Sequence, residues 1–436
     1  MNSSFFPGIE TRPAGVIKKF QEEALKDLLL YVSTHSPYYS RLFKEHAIDI
    51  ARIRTLEDLA QIPVTDKGQL QQFNDDFICV PRNRIIDYIT SSGTMGDPVT
   101  VAMTDSDLDR LAYNEAISFA CAGGSSDDVY QLMTTIDRRF MAGLAYFLGI
   151  RMLGASIVRV GNGLPELQWD TISRIRPNAI IVVPSFILKL IEYAEQKGID
   201  YCSSSIRKAI CIGEPLRDSG LKLNTLGRRI QEKWPIQLFS TYASTEMATT
   251  FTECSEGKGG HHHPELIIVE FLDDHDEPVG EGQTGEVTIT TLGIKGMPLL
   301  RFKTGDICSH TSEPCACGRT TMRLGPIIGR RKQMIKLRGT SLYPPALYDI
   351  LDNIPYVQNY FIEVYTNAIG TDEVIVNAGV YQAEPRLETD IKDHFRARLR
   401  VVPEVRFMKP EEIRSVQFPE GARKPLKFID KRNSPT

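Results

Sequence analysis

A chain of 436 residues with 42% hydrophobic and 24% charged side chains has an ordinary globular composition, and it exceeds what one hydrophobic core usually organises. A large domain plus a smaller one is therefore expected. The 55 acidic side chains nearly balance the 51 basic ones, with no long Lys/Arg run, which argues against nucleic acid as a partner. Residues 1–10 lack a basic region followed by an apolar run, and the apolar stretch 179–191 is short and carries Pro184 and Lys189. Neither secretion nor membrane insertion is expected, and a cytoplasmic location follows.

At the start, Ile17, Phe20, Ala24 and Leu28 recur at three- and four-residue intervals, separated by Lys18, Glu22 and Lys26, which predicts a packed helix. From residue 99 to 220, runs such as Ile157-Val158-Arg159-Val160 and Ile180-Ile181-Val182-Val183 alternate with helix-like stretches such as 186–196. That alternation predicts an α/β sheet with covering helices. Between 265 and 291, two β-prone segments flank a polar turn with Pro278 and Gly280, which predicts an antiparallel strand pair. Past Gly329, a strand-like segment at 374–381 and a charged helix at 387–399 fit a small α+β domain. The expected division is 1–329 and 330–436, with the boundary near Arg330.

Three segments carry chemistry. The run Thr-Ser-Ser-Gly-Thr-Met-Gly-Asp-Pro at 90–98 packs hydroxyls and glycines into one loop after a β-prone stretch. Glycines let backbone N–H groups turn toward a phosphate and the hydroxyls add donors, but no Gly-Lys-Ser/Thr of a Walker loop follows. The second, Ser-Thr-Tyr-Ala-Ser-Thr-Glu at 240–246, brings together an aromatic ring, hydroxyls and a carboxylate, as needed to stack a base, hold a phosphate and hold magnesium. In the third, Arg-Phe-Lys-Thr-Gly-Asp at 301–306, a tight turn is expected to present Asp306 to a ribose diol.

Eight cysteines without a secretory signal favour free thiols, catalysis or metal ligation over disulfides. Cys79, Cys121, Cys202 and Cys211 sit in apolar or strand-like contexts and read as core filler. Cys315-Ala-Cys317-Gly318 follows a proline, and Cys254 lies shortly before His261, His262 and His263. Thiolates plus one imidazole suit tetrahedral zinc, with the choice among the histidines open.

In this order and spacing the segments resemble the adenylate-forming superfamily of acyl-CoA ligases and adenylation domains. Within it, Ser36-Pro-Tyr-Tyr-Ser-Arg-Leu-Phe43, the Thr55 to Lys67 stretch, Cys211-Ile-Gly-Glu-Pro-Leu216, the Gly329 to Gly339 stretch and Lys424-Pro-Leu-Lys-Phe-Ile-Asp430 are similar to the phenylacetate–CoA ligase family. The resemblance implies a large α/β domain with a β-rich part and a small mobile α+β domain. It implies that an organic, by family an aromatic, acid is adenylated with ATP and magnesium and then passed to coenzyme A, with a homodimer as one assembly. By motif position, Ser91, Ser92, Gly93, Thr94 and Gly96 would form the phosphate loop, and Gly213, Glu214 and Pro215 the adenine wall. Tyr242, followed by Ala243 and Ser244, would lie beside the adenine. Thr245 and Glu246 would hold phosphate and magnesium, and Asp306 the ribose, with Arg330 assisting. Lys332 would be the hinge residue and Lys424 the lysine of adenylation. The same family pattern selects His261 with Cys254, Cys315 and Cys317 for structural zinc.

Three positions depart from that family's pattern: Met95 replaces a hydroxyl, Asp97 a lysine and Ala243 a glycine. Asp97 and Met95 motivate a rival reading as a degenerate nucleotide-binding, zinc-organised interaction protein. A second rival is an adenylating enzyme that uses a carrier-protein thiol or an amine as acceptor. The acid pocket is expected near residues 130–146 and 213–242.

Overall fold

The opening apolar pattern folds as helix α1 (Ala14–His35), but its buried face is Ile17, Gln21, Leu25, Leu28, Leu29 and Val32. Phe20 is 39% exposed, against the expected stripe. The stripe is set by Gln21, whose amide donates to the carbonyls of Pro264 and Ile267, both at 3.0 Å. A buried polar side chain with two acceptors satisfied packs like an apolar one. The structure is a computed structural model describing residues 7–91, 99–337, 340–367, 371–399, 401–419 and 425–432. It divides into two units, Met1–Pro326 and Ile327–Thr436.

In the first unit, α2 (Pro37–Glu45) and α3 (Lys67–Gln72) lead to the antiparallel pair β1 (Ile85–Thr90) and β2 (Thr100–Thr104). Asp66 caps α3 through a reciprocal bond set with Gln69, a device that fixes where a helix begins. Then follow α4 (Asp105–Cys121), β3 (Val129–Leu132), α5 (Met141–Leu153), β4 (Ser156–Arg159), α6 (Pro165–Ile175), β5 (Ala179–Val182), α7 (Pro184–Lys197), β6 (Lys208–Cys211), α8 (Thr225–Lys233) and β7 (Gln237–Ser244). The β-rich part comprises β8 (Thr249–Thr252), β9 (Gly260–His261), β10 (Ile267–Leu272), β11 (Thr284–Thr291), β12 (Phe302–Thr311) and β13 (Arg323–Leu324).

These strands run in the order β10-β11-β12-β13-β9-β8-β7-β6-β5-β3-β4. From β4 to β7 the neighbours are parallel, the outcome of strand–helix alternation. Beyond β7 the pairing turns antiparallel, including the expected β10–β11 pair. Side chains of one strand alternate between faces: Ile180 and Val182 join Trp169, Ile187 and Trp234 in one core, whereas Ala179 and Ile181 join Phe119, Tyr130 and Leu132 in the other. Each fully buried large apolar side chain contributes about 1.5–3 kcal/mol, so both faces are needed. Tyr130 is packed in that core with its hydroxyl on Asp128 Oδ2 at 3.4 Å. Cys202 is exposed, a second correction, since the turn after α7 carries it out of the core.

In the second unit, β14 (Gly329–Arg330), the hairpin β15 (Ile335–Leu337) and β16 (Thr340–Leu342), and α9 (Pro344–Asp352) precede β17 (Asn359–Thr366), β18 (Asp372–Gly379), α10 (Pro385–Leu399), β19 (Glu404–Met408), α11 (Pro410–Gln417) and β20 (Phe428–Asp430). A mixed sheet, β19-β18-β17-β20, packs Ile362 and Val376 against Leu347 and Phe395. Among the described residues no helix is long and apolar enough to cross a membrane.

Candidate active site and metal centre

Parallel strands of an open sheet place ligands beyond their carboxyl ends, and three of the sequence-marked segments meet there. Gly213, Glu214 and Pro215 follow β6. Glu214 turns back to the first turn of α7, accepting from the Ser185 N–H and hydroxyl at 2.9 Å each. One strand over, the Thr241 hydroxyl donates to the Cys211 carbonyl at 2.9 Å. The two strand ends are thereby locked in register.

Tyr242, next on β7, donates its hydroxyl to Asp306 Oδ2 at 2.9 Å. Burial, with Asp306 adding to it, pushes the phenol well above its ordinary value, so the hydroxyl stays a donor. Asp306 is buried on β12 and does not sit in the tight turn expected from Thr-Gly-Asp. The β11–β12 register runs from Glu286 opposite Ile307 to Thr288 opposite Lys303, so residues 304–306 bulge outward from the ladder. A bulge re-aims a side chain without ending the strand.

Thr245 and Glu246 form the turn after β7. The Ser244 hydroxyl accepts from the Met247 N–H at 3.3 Å, and Ala243 is exposed. Lys67 Nζ stands 3.5 Å from Glu246 Oε1, with the two side chains 36% and 10% exposed. The sequence marks Lys67 only as the end of the Thr55 to Lys67 stretch. The turn closes at Ala248, whose φ of 45° is uncommon for a residue with a Cβ. Its carbonyl accepts from Arg110 Nη1 at 2.7 Å. The same guanidinium reaches the carbonyls of Leu292 at 2.6 Å and Leu266 at 2.5 Å, and the Thr249 hydroxyl at 3.2 Å. Burial lowers Arg110 to about 10, and it stays charged at neutral pH. No sequence pattern pointed to it.

Ser91 is paired to Val99: its N–H donates to the Val99 carbonyl at 2.9 Å and its hydroxyl accepts from the Val99 N–H at 3.1 Å. Ser92, Gly93, Thr94, Met95, Gly96 and Asp97 lie outside the described residues, as does Lys424. Arg330 and Lys332 belong to the second unit, where Arg432 Nη2 donates to the Lys332 carbonyl at 2.9 Å.

The cysteine–histidine set converges. Ligand atoms of Cys254, His261, Cys315 and Cys317 lie within 4.8 Å of one another. Cys254 Sγ is 3.3 Å from His261 Nε2 and 3.7 Å from Cys315 Sγ, and Cys317 Sγ is 3.5 Å from the same nitrogen. Sulfurs at about 2.3 Å from a tetrahedral zinc stand about 3.8 Å apart, so the donor set and its spacing fit that ion. Both loops are built alike: the N–H of Gly257 returns to the Cys254 carbonyl at 3.1 Å and that of Gly318 to the Cys315 carbonyl at 2.9 Å. Each glycine has positive φ, 60° and 94°, which a Cβ would oppose.

Around the cluster, Arg319 Nη1 lies 3.6 Å from Cys317 Sγ and its Nε donates to Glu10 Oε2 at 2.6 Å. Although burial opposes it, the Arg319 backbone N–H and side chain hold the Cys317 thiol below its ordinary value. Burial, then Arg319, takes His261 down to about 3, keeping the imidazole neutral. The neighbouring histidines are engaged elsewhere: His262 Nε2 with the Ile267 carbonyl at 2.6 Å, and His263 with Glu10 and the Ser118 hydroxyl. Cys121, read as filler, is buried against Cys254 and Cys315.

Residues 42–295 match the model of the family described as AMP-binding enzyme. A phenylacetate-coenzyme A ligase of Thermus thermophilus is 33% identical over 360 residues, covering 81% of this chain and 79% of the relative. This chain belongs to the phenylacetate-coenzyme A ligase family of AMP-binding enzymes. The phenylacetate-coenzyme A ligase of Escherichia coli is 29% identical over 368 residues, 82% of this chain and 81% of the relative. The fold of this family member is that of 2-hydroxyisobutyryl-CoA ligase in its postadenylation state in complex with 2-HIB-AMP. The TM-score is 0.84 at 22% identity, covering 99% of this chain and 95% of that one.

Proposed function

We propose that this chain is an AMP-forming ligase that joins an aromatic acid of the phenylacetate type to coenzyme A through an acyl-adenylate. The observation that carries the reading is the Tyr242–Asp306 hydrogen bond at the end of the strand that also presents Glu246. An aromatic face, a ribose-binding carboxylate and a metal-binding carboxylate are what a nucleotide with a reacting α-phosphate requires.

In this reading Tyr242 and the Gly213–Glu214–Pro215 turn enclose the adenine, and the Asp306 carboxylate accepts from the ribose diol. Thr245 donates to phosphate. Glu246 would hold magnesium, which supplies positive charge to the phosphates. Lys67, beside Glu246, is placed to offset charge on the reacting phosphate where the glycine loop carries Asp97 instead of a lysine. The acid's carboxylate oxygen attacks the α-phosphorus and the bond to pyrophosphate breaks. Electrostatic stabilisation of that charge build-up is the main task of the site. Lys424 completes it during adenylation, with Arg330 and the hinge residue Lys332 in the second domain, 330–436. The coenzyme A sulfur then attacks the acyl carbon and AMP leaves. A cytoplasmic location, where ATP and coenzyme A are available, belongs to this reading.

Cys254, His261, Cys315 and Cys317 would hold structural zinc, since four protein ligands leave no position for water. Three thiolates and one neutral imidazole around a divalent ion carry one net negative charge, and Arg319 supplies the neighbouring cation.

The test is AMP release from ATP with a panel of carboxylic acids, with and without coenzyme A. Release that needs both an aromatic acid and coenzyme A is the expected result. Full turnover without coenzyme A, or none with any acid, overturns the assignment.

A further inference from the structure

The metal loops and the nucleotide pocket share two buried side-chain links, neither of which is a metal ligand. Arg217 comes two residues after Pro215 and donates through Nε to Glu253 Oε1 at 2.5 Å. The two side chains are 14% and 3% exposed. Glu253 immediately precedes Cys254, and its other oxygen accepts from the Ser240 N–H of β7 at 3.1 Å. The guanidinium also presses on the Cys254 loop: a Cβ added at Gly257 would come within 2.4 Å of Arg217 Nη2. A third contact, Nη1 to the Leu221 carbonyl at 3.2 Å, ties it to its own segment. One guanidinium, two residues past the adenine wall, thus joins the carboxylate that holds the tyrosine strand to the first metal loop.

The second link is Phe251. Its ring stacks between Tyr242, with centroids 6.0 Å apart and planes at 26°, and His262, at 6.2 Å and 18°. His262 follows the ligand His261 and is fixed by the Ile267 carbonyl. Beneath the ring, β8 and β9 pair Thr252 with His261. A Cβ at Gly260 would lie 2.8 Å from the Phe251 carbonyl oxygen, so strand β9 has no slack against Phe251.

We propose that the four-ligand metal centre and the nucleotide pocket are thermodynamically coupled through the Arg217–Glu253 pair and the Phe251 stack. Ligation of Cys254 and His261 by zinc fixes the metal-side end of each link, so that Tyr242 and the adenine wall are ordered before nucleotide arrives. Nucleotide then spends less free energy on ordering, and linkage requires that it tighten zinc by the same factor. Arg217, Glu253 and Phe251 act as positioning residues. The inference rests on the metal reading of the cluster and on the nucleotide reading of Tyr242 and the turn at 213–215.

The experiment measures zinc affinity by competition with a chromogenic chelator, with and without saturating AMP, and AMP affinity by calorimetry for zinc-loaded and zinc-depleted protein. Both pairs should differ by one common factor, about tenfold within the range usual for coupled sites. In Glu253→Gln and Phe251→Leu the protein should still bind zinc and AMP, while the factor falls toward one. Should depletion unfold the protein, a coupling that merely reports unfolding would persist in both variants and would overturn the proposed route. Zinc and AMP each binding with no mutual effect overturns the coupling and leaves the ligase reading standing. Failure to bind zinc removes the metal reading and the coupling with it. Failure to bind AMP removes the nucleotide reading, and the coupling falls with that too.

Discussion

The Tyr242 hydroxyl bonds Asp306 across a sheet in which their strands, β7 and β12, are separated by β8, β9 and β13. The two strands are not paired, and the bulge at 304–306 takes Asp306 out of its own ladder to meet the tyrosine. Tyr242→Phe leaves a buried carboxylate short of one donor, a loss of about 1–1.5 kcal/mol. The Michaelis constant for ATP should rise about five- to tenfold with kcat little changed. Steady-state kinetics at saturating acid checks this, and a change in kcat alone contradicts the assigned role.

Lys67 faces Glu246 at 3.5 Å and is read as a source of positive charge for adenylation. Lys67→Met should lower acid-dependent pyrophosphate exchange by about 10²-fold, the usual loss on removing one donor from developing charge. Conversion of a supplied acyl-adenylate to thioester should fall far less. Equal losses in both half-reactions place Lys67 in folding rather than in chemistry.

Arg110 satisfies three carbonyls and one hydroxyl inside the first unit. Arg110→Met leaves several buried acceptors unpaired at about 1–3 kcal/mol each, so urea denaturation should show a destabilisation of about 3 kcal/mol or more. A milder Arg110→Lys variant, which loses the fork geometry that anchors Ala248, should need more magnesium for half-maximal activity, and an unchanged magnesium requirement contradicts the role of that anchor.

Glu115 is buried on α4, accepting from the Thr250 hydroxyl at 2.7 Å and the Asn114 amide at 3.1 Å, and burial raises its pKa from 4.5 to about 7. Because the folded value lies above the unfolded one, the folded protein holds the extra proton between these pH values. Its contribution to stability is present below 4.5 and is lost as pH rises to about 7. Glu115→Gln, which keeps an uncharged side chain of the same shape, should flatten that part of the stability profile. At pH 8 it should stabilise the protein by about 2–3 kcal/mol. Denaturant titrations across this range decide it, and parallel profiles for the two proteins contradict it.

Much of this architecture is legible in the residues, and the failures have physical causes. The alternation of β-branched runs and helices specifies the parallel sheet because each crossover must cover a face. The cysteine and histidine spacing picks out Cys254, His261, Cys315 and Cys317, whose ligand atoms the fold brings within 4.8 Å of one another. The apolar period of α1 misplaces Phe20 because it counts Gln21 as polar, whereas two carbonyls inside the fold satisfy that amide. Residues 301–306 read as a turn because local glycine chemistry is shared by turns and bulges, and only the β11 partner distinguishes them. Arg110 and the Lys67–Glu246 pair join residues more than 100 positions apart, so no local pattern contains them.

Formation of an acyl-adenylate from a carboxylic acid is the step on which the proposed chemistry depends. The most direct test is exchange of labelled pyrophosphate into ATP, with phenylacetate present and coenzyme A left out. The account requires exchange that depends on the acid and on magnesium. It also requires that exchange be lost in Lys424→Ala while that variant still converts a supplied phenylacetyl-adenylate to thioester. Absence of acid-dependent exchange in a folded protein that binds ATP contradicts the account.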